Sequence, residues 1–130
     1  MVRLPALALA AMLLAPEARA HEHSDARFCR LIQDLADKAN NDIGNRVDAV
    51  TIHIGMAVFC NVKIVDFKER IEVPFDTFKA GWRAPKQAQW NQIYCEPGSA
   101  FRQAIDAGWT IGSTTADANG VRQYMVAKCT

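Results

Sequence analysis

The first twenty residues have the pattern of a cleavable secretory signal. Arg3 supplies a positive charge, residues 4–15 form an apolar run, and Ala18-Arg19-Ala20 provides the small residues that a signal peptidase accepts. The run is shorter than the stretch of about 20 apolar residues that spans a bilayer. We therefore predict cleavage after Ala20 and export to the periplasm or the medium, where disulfides form.

The predicted mature chain, residues 21–130, has 110 residues, which is the usual size of one small domain. Loss of Arg3, Arg19 and Glu17 leaves 13 basic and 13 acidic residues, with no long block of one sign. A neutral, mixed surface gives no electrostatic reason to bind nucleic acid or an anionic membrane. We therefore predict one domain without a nucleic-acid partner and without a membrane span.

Four cysteines, Cys29, Cys60, Cys95 and Cys129, lie in the predicted mature chain. An even number in a small exported chain indicates disulfides, here two. There is no C-x-x-C pair, and spacings of 31, 35 and 34 residues do not suit a zinc site. We therefore predict that all four cysteines are oxidised.

The sequence begins with the pattern of an amphipathic helix and continues with that of β-strands. Apolar residues recur at helical spacing between a cap at Ser24 and an end near Asn40-Asn41; they are Phe28, Leu31, Ile32, Leu35 and Ala39. From residue 50 to 64 the even positions are apolar, which indicates strands with one buried face. We predict a hairpin near residues 54–56; the alternative is one long bent strand with a bulge at Gly55.

The second half of the chain predicts helices followed by two strands. Aromatic residues between residues 75 and 94 suggest two short helices, and Ser99 caps a helix that stops at Gly108. Strands follow at 109–115 and 121–129, joined by a turn at 117–120. The prediction is an α+β fold, with about four strands in a small antiparallel sheet and helices packed on one face.

This order of elements bears on the disulfide pairing, for which three connectivities exist. A first helix that returns antiparallel to the first strand has Cys29 near the hairpin turn, just before Cys60. The favoured pairing is therefore Cys29–Cys60 with Cys95–Cys129, and the two others stay open.

Scattered positions of the mature chain resemble a family of small exported bacterial proteins. They are Asn40 or Asn41, Val47-Asp48-x-x-Thr51, Cys95, Gly108-Trp109, Asn119-Gly120 and Cys129, in that order around a hairpin and a helix. This arrangement is similar to the quorum-sensing-regulated virulence factor family of pseudomonads. Gly44-Asn45 stands where that family would have a proline, and the first strand region is longer. The resemblance implies a small α+β domain without an assigned catalytic activity.

Residues suited to catalysis are sparse. His53 lies between apolar strand positions without a G-x-S-x-G or H-E-x-x-H context, so we interpret it as a solvent-facing strand residue. Glu69, Glu72 and Asp76 are interleaved with basic residues, which is typical of a salt-bridged surface and not of a pair of catalytic carboxylates. We therefore predict a protein that is not an enzyme.

Trp82, Arg83 and Trp90 are the candidate residues for binding a protein partner. They lie in a segment broken by Pro74 and Pro85, and exposed Trp beside Arg is typical of interaction hot spots. The alternative is that these Trp residues are part of the core, as most Trp residues are in a small domain. The partner is an unidentified protein, and the predicted role is that of an inhibitor, virulence factor or accessory of an envelope or secretion apparatus.

Cleavage after Ala20 would create an amino terminus that begins His21-Glu22-His23. A free α-amine, two backbone amides and the imidazole of the third residue form a square-planar nitrogen set that suits Cu(II) or Ni(II). Histidines at a frayed terminus also occur without any role. The alternative function is therefore a copper- or nickel-binding periplasmic protein.

The first prediction concerns this copper site. Cu(II) titrated into protein that begins at His21 should bind with the visible absorption of a square-planar nitrogen complex. One extra residue before His21 moves the imidazole of His23 out of the third position and should weaken binding. Equal affinity in the two proteins would contradict the site.

Overall fold

The structure is a computed structural model, which describes residues 25–130. In this part of the chain, three helices and four strands form an α+β fold, as predicted. The elements are α1 (residues 25–40), β1 (Thr51–Phe59), β2 (Ile64–Ile71), a 3-10 turn (Phe75–Thr77), α2 (Arg83–Tyr94), α3 (Ala100–Asp106), β3 (Thr110–Ala116) and β4 (Arg122–Val126). The predicted signal, residues 1–20, and the predicted cap at Ser24 lie outside the described residues.

The four strands form one sheet in the order β1-β2-β3-β4. β1 with β2 and β3 with β4 are antiparallel, but β2 and β3 run parallel. The prediction of an antiparallel sheet is therefore wrong for the central pair. The chain between these strands contains α2 and α3. This crossover returns the chain to the end of the sheet at which β2 begins.

β1 is one continuous strand with an irregularity at its centre. The pairing with β2 shifts between His53 and Gly55, so the predicted hairpin near residues 54–56 is wrong and the alternative of a bulged strand is confirmed. Gly55 has φ +154°, a backbone angle that favours glycine. The chain reverses instead at residues 60–63.

The turn at residues 60–63 also changes which positions of the chain are buried. Met56 in β1 is buried, but in β2 the buried residues are Val65 and Ile71, whereas Val62 and Ile64 are exposed. The even positions therefore face the helices only between the bulge and the turn, although the apolar pattern runs from residue 50 to 64. A side-chain period of two keeps its phase only within a strand that has no bulge.

All three helices pack on the same face of the sheet. The buried cluster there consists of Phe28, Ile32, Ala36, Met56, Val65, Ala104, Trp109, Ile111 and Ala127. α1 contributes residues four apart, so Ala36 lies where Leu35 was expected, and Leu31 and Leu35 are 50% and 44% exposed. The predicted cap of α3 is confirmed, because the Ser99 hydroxyl accepts a hydrogen bond from the Arg102 amide.

Polar side chains of α2 cover the outer edge of β4. Three of them, spaced one turn apart, form hydrogen bonds with the backbone. Arg83 donates to the Tyr124 carbonyl (2.9 Å), and Gln87 donates to the Val126 carbonyl (2.8 Å). Asn91 accepts from the Lys128 amide (2.8 Å). An uncovered strand edge is a template for pairing with another chain. α2 therefore occupies the edge to which another strand would pair.

The outer edge of β1 is covered in a similar way. The Asn40 side chain at the end of α1 accepts from the Met56 amide (2.8 Å) and donates to the Met56 carbonyl (3.1 Å), as a neighbouring strand would. The loop after α1 pairs with the first half of the strand, through Gly44 and Asn45 to His53. Both edges of the sheet are thus engaged.

The two disulfides join Cys29 to Cys60 and Cys95 to Cys129, which confirms the favoured pairing. Cys29–Cys60 links α1 to the turn after β1, and Cys95–Cys129 links the end of α2 to the chain after β4. Each bridge therefore ties a helix to the sheet on which it packs.

Among residues 25–130, the helices are too short or too polar for any of them to cross a lipid bilayer.

The second prediction concerns the disulfides. Bridges that close loops of 31 and 34 residues each stabilise a chain by about 3–4 kcal/mol in the chain-entropy model. Denatured, unreduced protein should show no free thiol, and reduction should expose four. Reduction should also lower the melting temperature by more than about 10 °C. Cys29→Ser should release one thiol and leave Cys95–Cys129 closed; release of a thiol from that second pair would contradict the pairing.

The third prediction concerns the edge of β1. Asn40→Ala removes two hydrogen bonds to Met56 and should lower the free energy of unfolding by about 1–3 kcal/mol. The matched control is Asn41→Ala, next in the chain and exposed, whose side chain makes no hydrogen bond within residues 25–130. Urea unfolding of the two variants should differ accordingly, and equal losses would refute the role of Asn40.

Candidate functional site

Trp82 and Arg83 lie together at the surface where α2 begins. The Trp82 ring stacks on Phe75, with ring centres 5.4 Å apart and planes within 8°, and it also touches Phe78. The Arg83 guanidinium lies 5.9 Å from the centre of the Trp82 ring while it hydrogen-bonds to β4. This pair therefore holds the start of α2 against the sheet, and the aromatic cluster closes that end of the core.

Trp90 lies two turns further along α2, on the side that faces the core. Its ring packs against Phe67 and Tyr94, with centres 5.7 and 4.5 Å away, and its Nε1 donates to the Ile111 carbonyl (3.4 Å). The structure thus does not bring Trp90 into one surface with Trp82 and Arg83. Trp90 lies eight positions after Trp82, which corresponds to about 12 Å along the helix axis.

A row of polar residues crosses the helix-covered face of the sheet, with one member from each strand. The row is His53, Glu69, Thr115 and Gln123, which are successive partners in the sheet pairing. His53 is half-buried, and a ring nitrogen lies 3.1 Å from the Ala39 carbonyl, so the prediction of a solvent-facing residue is wrong. The bulge after His53 turns its side chain towards this face.

Glu69 is the acidic member of this polar row. Burial raises the pKa of its carboxyl, and the nearby positive charge of Lys86 lowers it in part. Glu69 and Thr115 line a cavity of about 40 Å³ beneath Trp82. That volume holds only a few water molecules, whereas pockets for small-molecule ligands have volumes of about 300–1,000 Å³.

Of the other predicted acidic residues, Glu72 is paired with Arg46, at 2.9 Å. The candidate metal ligands His21, Glu22 and His23 lie outside the described residues. Residues 25–130 contain no group of three potential metal ligands close enough to hold an ion.

The face of the sheet opposite the helices is a surface that the sequence analysis missed. The hydrogen bond from the Thr114 hydroxyl to Asp66 (2.9 Å) shows that even-numbered residues of β2 and β3 share this face. We call it the open face. Its exposed apolar residues are Ile54, Phe59, Ile64, Tyr124 and Val126, at 39%, 47%, 36%, 62% and 37%. The signal in the sequence was Phe59, an apolar residue at an odd position of a run whose even positions are apolar, so that the strand carries apolar side chains on both faces.

Charged residues of the open face gather at its other end. Arg70 and Arg122 flank Ala116 in the sheet pairing, and Lys68 lies one row further along β2. These three cations form no salt bridge within the described part of the chain. The open face is therefore apolar at one end and cationic at the other.

Comparisons with known proteins reveal a shared fold. No known family model matches the chain, and no curated protein matches it in sequence. A solved protein of Pseudomonas aeruginosa, described as secreted, has a TM-score of 0.61 at 8% identity, over 79% of this chain and 90% of that one. The pilotin of the Vibrio vulnificus type 2 secretion system has a TM-score of 0.55 at 12% identity, over 82% and 94% of the two chains. The chain is thus similar in fold to these two bacterial proteins.

Proposed function

We propose that this chain is an exported bacterial protein that acts through protein–protein contacts, as an accessory of an envelope or secretion apparatus. Two closed disulfides support export, because such bonds persist in oxidising compartments. The fold that it shares with a secreted protein and with a secretion-system pilotin supports the same compartment and the accessory role.

The open face is the single observation that carries this proposal. A sheet that has one face in water normally presents polar residues there. Here Phe59 and Tyr124 are about half exposed or more, and Ile64 and Val126 are more than a third exposed. Contiguous exposed apolar residues with a charged rim are typical of surfaces that bind other proteins.

The polar row gives less support to a catalytic function. Its cavity has a volume of about 40 Å³, too little for an ordinary substrate. Trp82 and Arg83 line this cavity and are held over it by contacts with Phe75 and β4. The residues with the character of an enzyme site thus have little room for a substrate, whereas the apolar residues of the open face are accessible.

The fourth prediction tests the proposed role. Mature protein, residues 21–130, should be immobilised and incubated with periplasmic extract of the source bacterium, with a lysine-reactive crosslinker. We expect the same one or few proteins in every replicate, identified by mass spectrometry. The control is the same bait after reduction and alkylation, which should lose its fold and retain none of them.

Two results would contradict the proposal. One is the repeated absence of any retained protein that distinguishes the folded bait from the control. The other is turnover of a small substrate by the purified protein. Copper bound at His21, Glu22 and His23 remains a separate proposal, which the titration of the extended terminus tests.

A further inference from the structure

The open face contains a groove that follows β3. The residues of β3 on this face are small or short, namely Thr110, Gly112, Thr114 and Ala116. A Cβ atom at Gly112 would lie 2.9 Å from the Met125 carbonyl oxygen of β4, which is too close. Glycine is therefore required at this position, and the floor of the groove is lowest there. β3 therefore forms the floor of a shallow channel.

Longer side chains on the two neighbouring strands form the walls. β2 contributes Ile64, Lys68 and Arg70, and β4 contributes Arg122, Tyr124 and Val126. At the cationic end, a surface hollow of about 360 Å³ is lined by Lys68 and Arg122 from the walls and by Ile54 of β1. The groove thus has walls of known composition.

The dimensions of the groove suit an α-helix. Adjacent strands lie about 4.8 Å apart, so the backbones of β2 and β4 are about 10 Å apart, and a helix laid along the groove rests on both walls with one row of its side chains between them. A helix with its side chains has a diameter of about 10–12 Å. The seven residues of β3 extend about 20 Å, which corresponds to about 13 residues of helix.

The charges of the groove specify the chemistry of its occupant. Lys68, Arg70 and Arg122 stand at one end, and the one carboxylate of the walls and floor, Asp66, is engaged by Thr114. Glu72, two residues beyond Arg70, is neutralised by Arg46. An occupant therefore meets a net positive charge at that end, where three cations face one carboxylate, and apolar side chains of Phe59, Ile64 and Val126 at the other.

The edges of the sheet constrain how the occupant binds. Recognition by strand addition needs a free backbone edge, but Asn40 covers that of β1 and α2 covers that of β4. The remaining mode of binding is through side chains laid on the open face. The start of α1 lies on the other side of the sheet, since Asp25 pairs with Lys63 and Trp109 at the helix-covered face.

We propose that the groove along β3 binds an amphipathic helix of about 13 residues from a partner protein. One end of this helix carries Glu or Asp residues opposite Lys68, Arg70 and Arg122, and the other end carries apolar residues opposite Phe59, Ile64 and Val126. The inference rests on the proposed function, which it deepens by naming the surface and the chemistry of the partner.

The fifth prediction tests this groove with two synthetic peptides. Both are hydrocarbon-stapled helices of 14 residues with the same Leu positions; one carries three Glu residues at one end, and the other carries three Lys residues in their place. Each is titrated into ¹⁵N-labelled mature protein. The acidic peptide should shift the amide resonances of β3 and of the facing residues of β2 and β4, and it should bind about tenfold or more tightly than the basic one.

Matched variants show whether the groove causes this preference. Arg70→Glu with Arg122→Glu should reverse it, whereas Arg30→Glu with Lys38→Glu, the same charge change on the exposed side of α1, should leave it unchanged. Thr110→Tyr fills the exposed apolar end of the floor with a residue that suits a strand, and it should abolish binding without loss of melting temperature.

Four results would overturn the inference: shifts confined to the helices, equal affinity for the two peptides, no binding of either, or coverage of the open face by a second copy, seen as concentration-dependent dimerisation. If a partner is captured reproducibly and one of these results is also found, the proposed function stands. The partner then binds to another surface, or it is not an acidic amphipathic helix. Failure of capture alone would count against the function and not against the groove.

Discussion

Val65 and Ile111 are fully buried neighbours on the parallel strands β2 and β3, and the arrangement of the chain depends on this contact. Parallel neighbours require a crossover, and here it contains α2 and α3. Because both helices contribute to the cluster around Val65 and Ile111, they lie on the same face as α1. Within residues 25–130, all three helices therefore cover the face of the sheet that contains Val65 and Ile111, and no helix covers the opposite face.

Local signals in the sequence were sufficient for most of the elements. The apolar spacing of α1, the Ser99 cap and the even number of cysteines each report a short-range or compositional rule. The disulfide pairing followed from the order of the elements. For the helix, the cap and the number of cysteines, the determinant lies within one element or in a count of residues, so the amino-acid sequence contains it directly.

The features that the sequence did not reveal depend on contacts between distant residues. In the sequence, Asn40 is an ordinary polar residue at a helix end. Its role depends on contact with Met56, which is 16 positions later in the chain. Arg83, Gln87 and Asn91 have the spacing of an ordinary exposed helix face, and their role appears only when β4 lies alongside. Ile64 continues the apolar pattern of the even positions from residue 50, so the pattern alone assigned it to the core. For the candidate site, composition indicated Trp82 and Arg83, whereas the open face required knowledge of which face the helices cover.

The Cys95–Cys129 bridge has a consequence for when the sheet becomes protected. It fastens the end of α2 beside the chain after β4, while Arg83 holds the start of the helix. In a chain whose cysteines are reduced, the packing of Trp82 and Trp90 and side-chain hydrogen bonds worth about 0.5–1.5 kcal/mol each keep the helix there. The reduced chain thus exposes the β4 edge more often than the oxidised chain does. Formation of this bridge is then the step that fixes α2 over the β4 edge, so a thiol oxidant acts for this chain as an assembly factor.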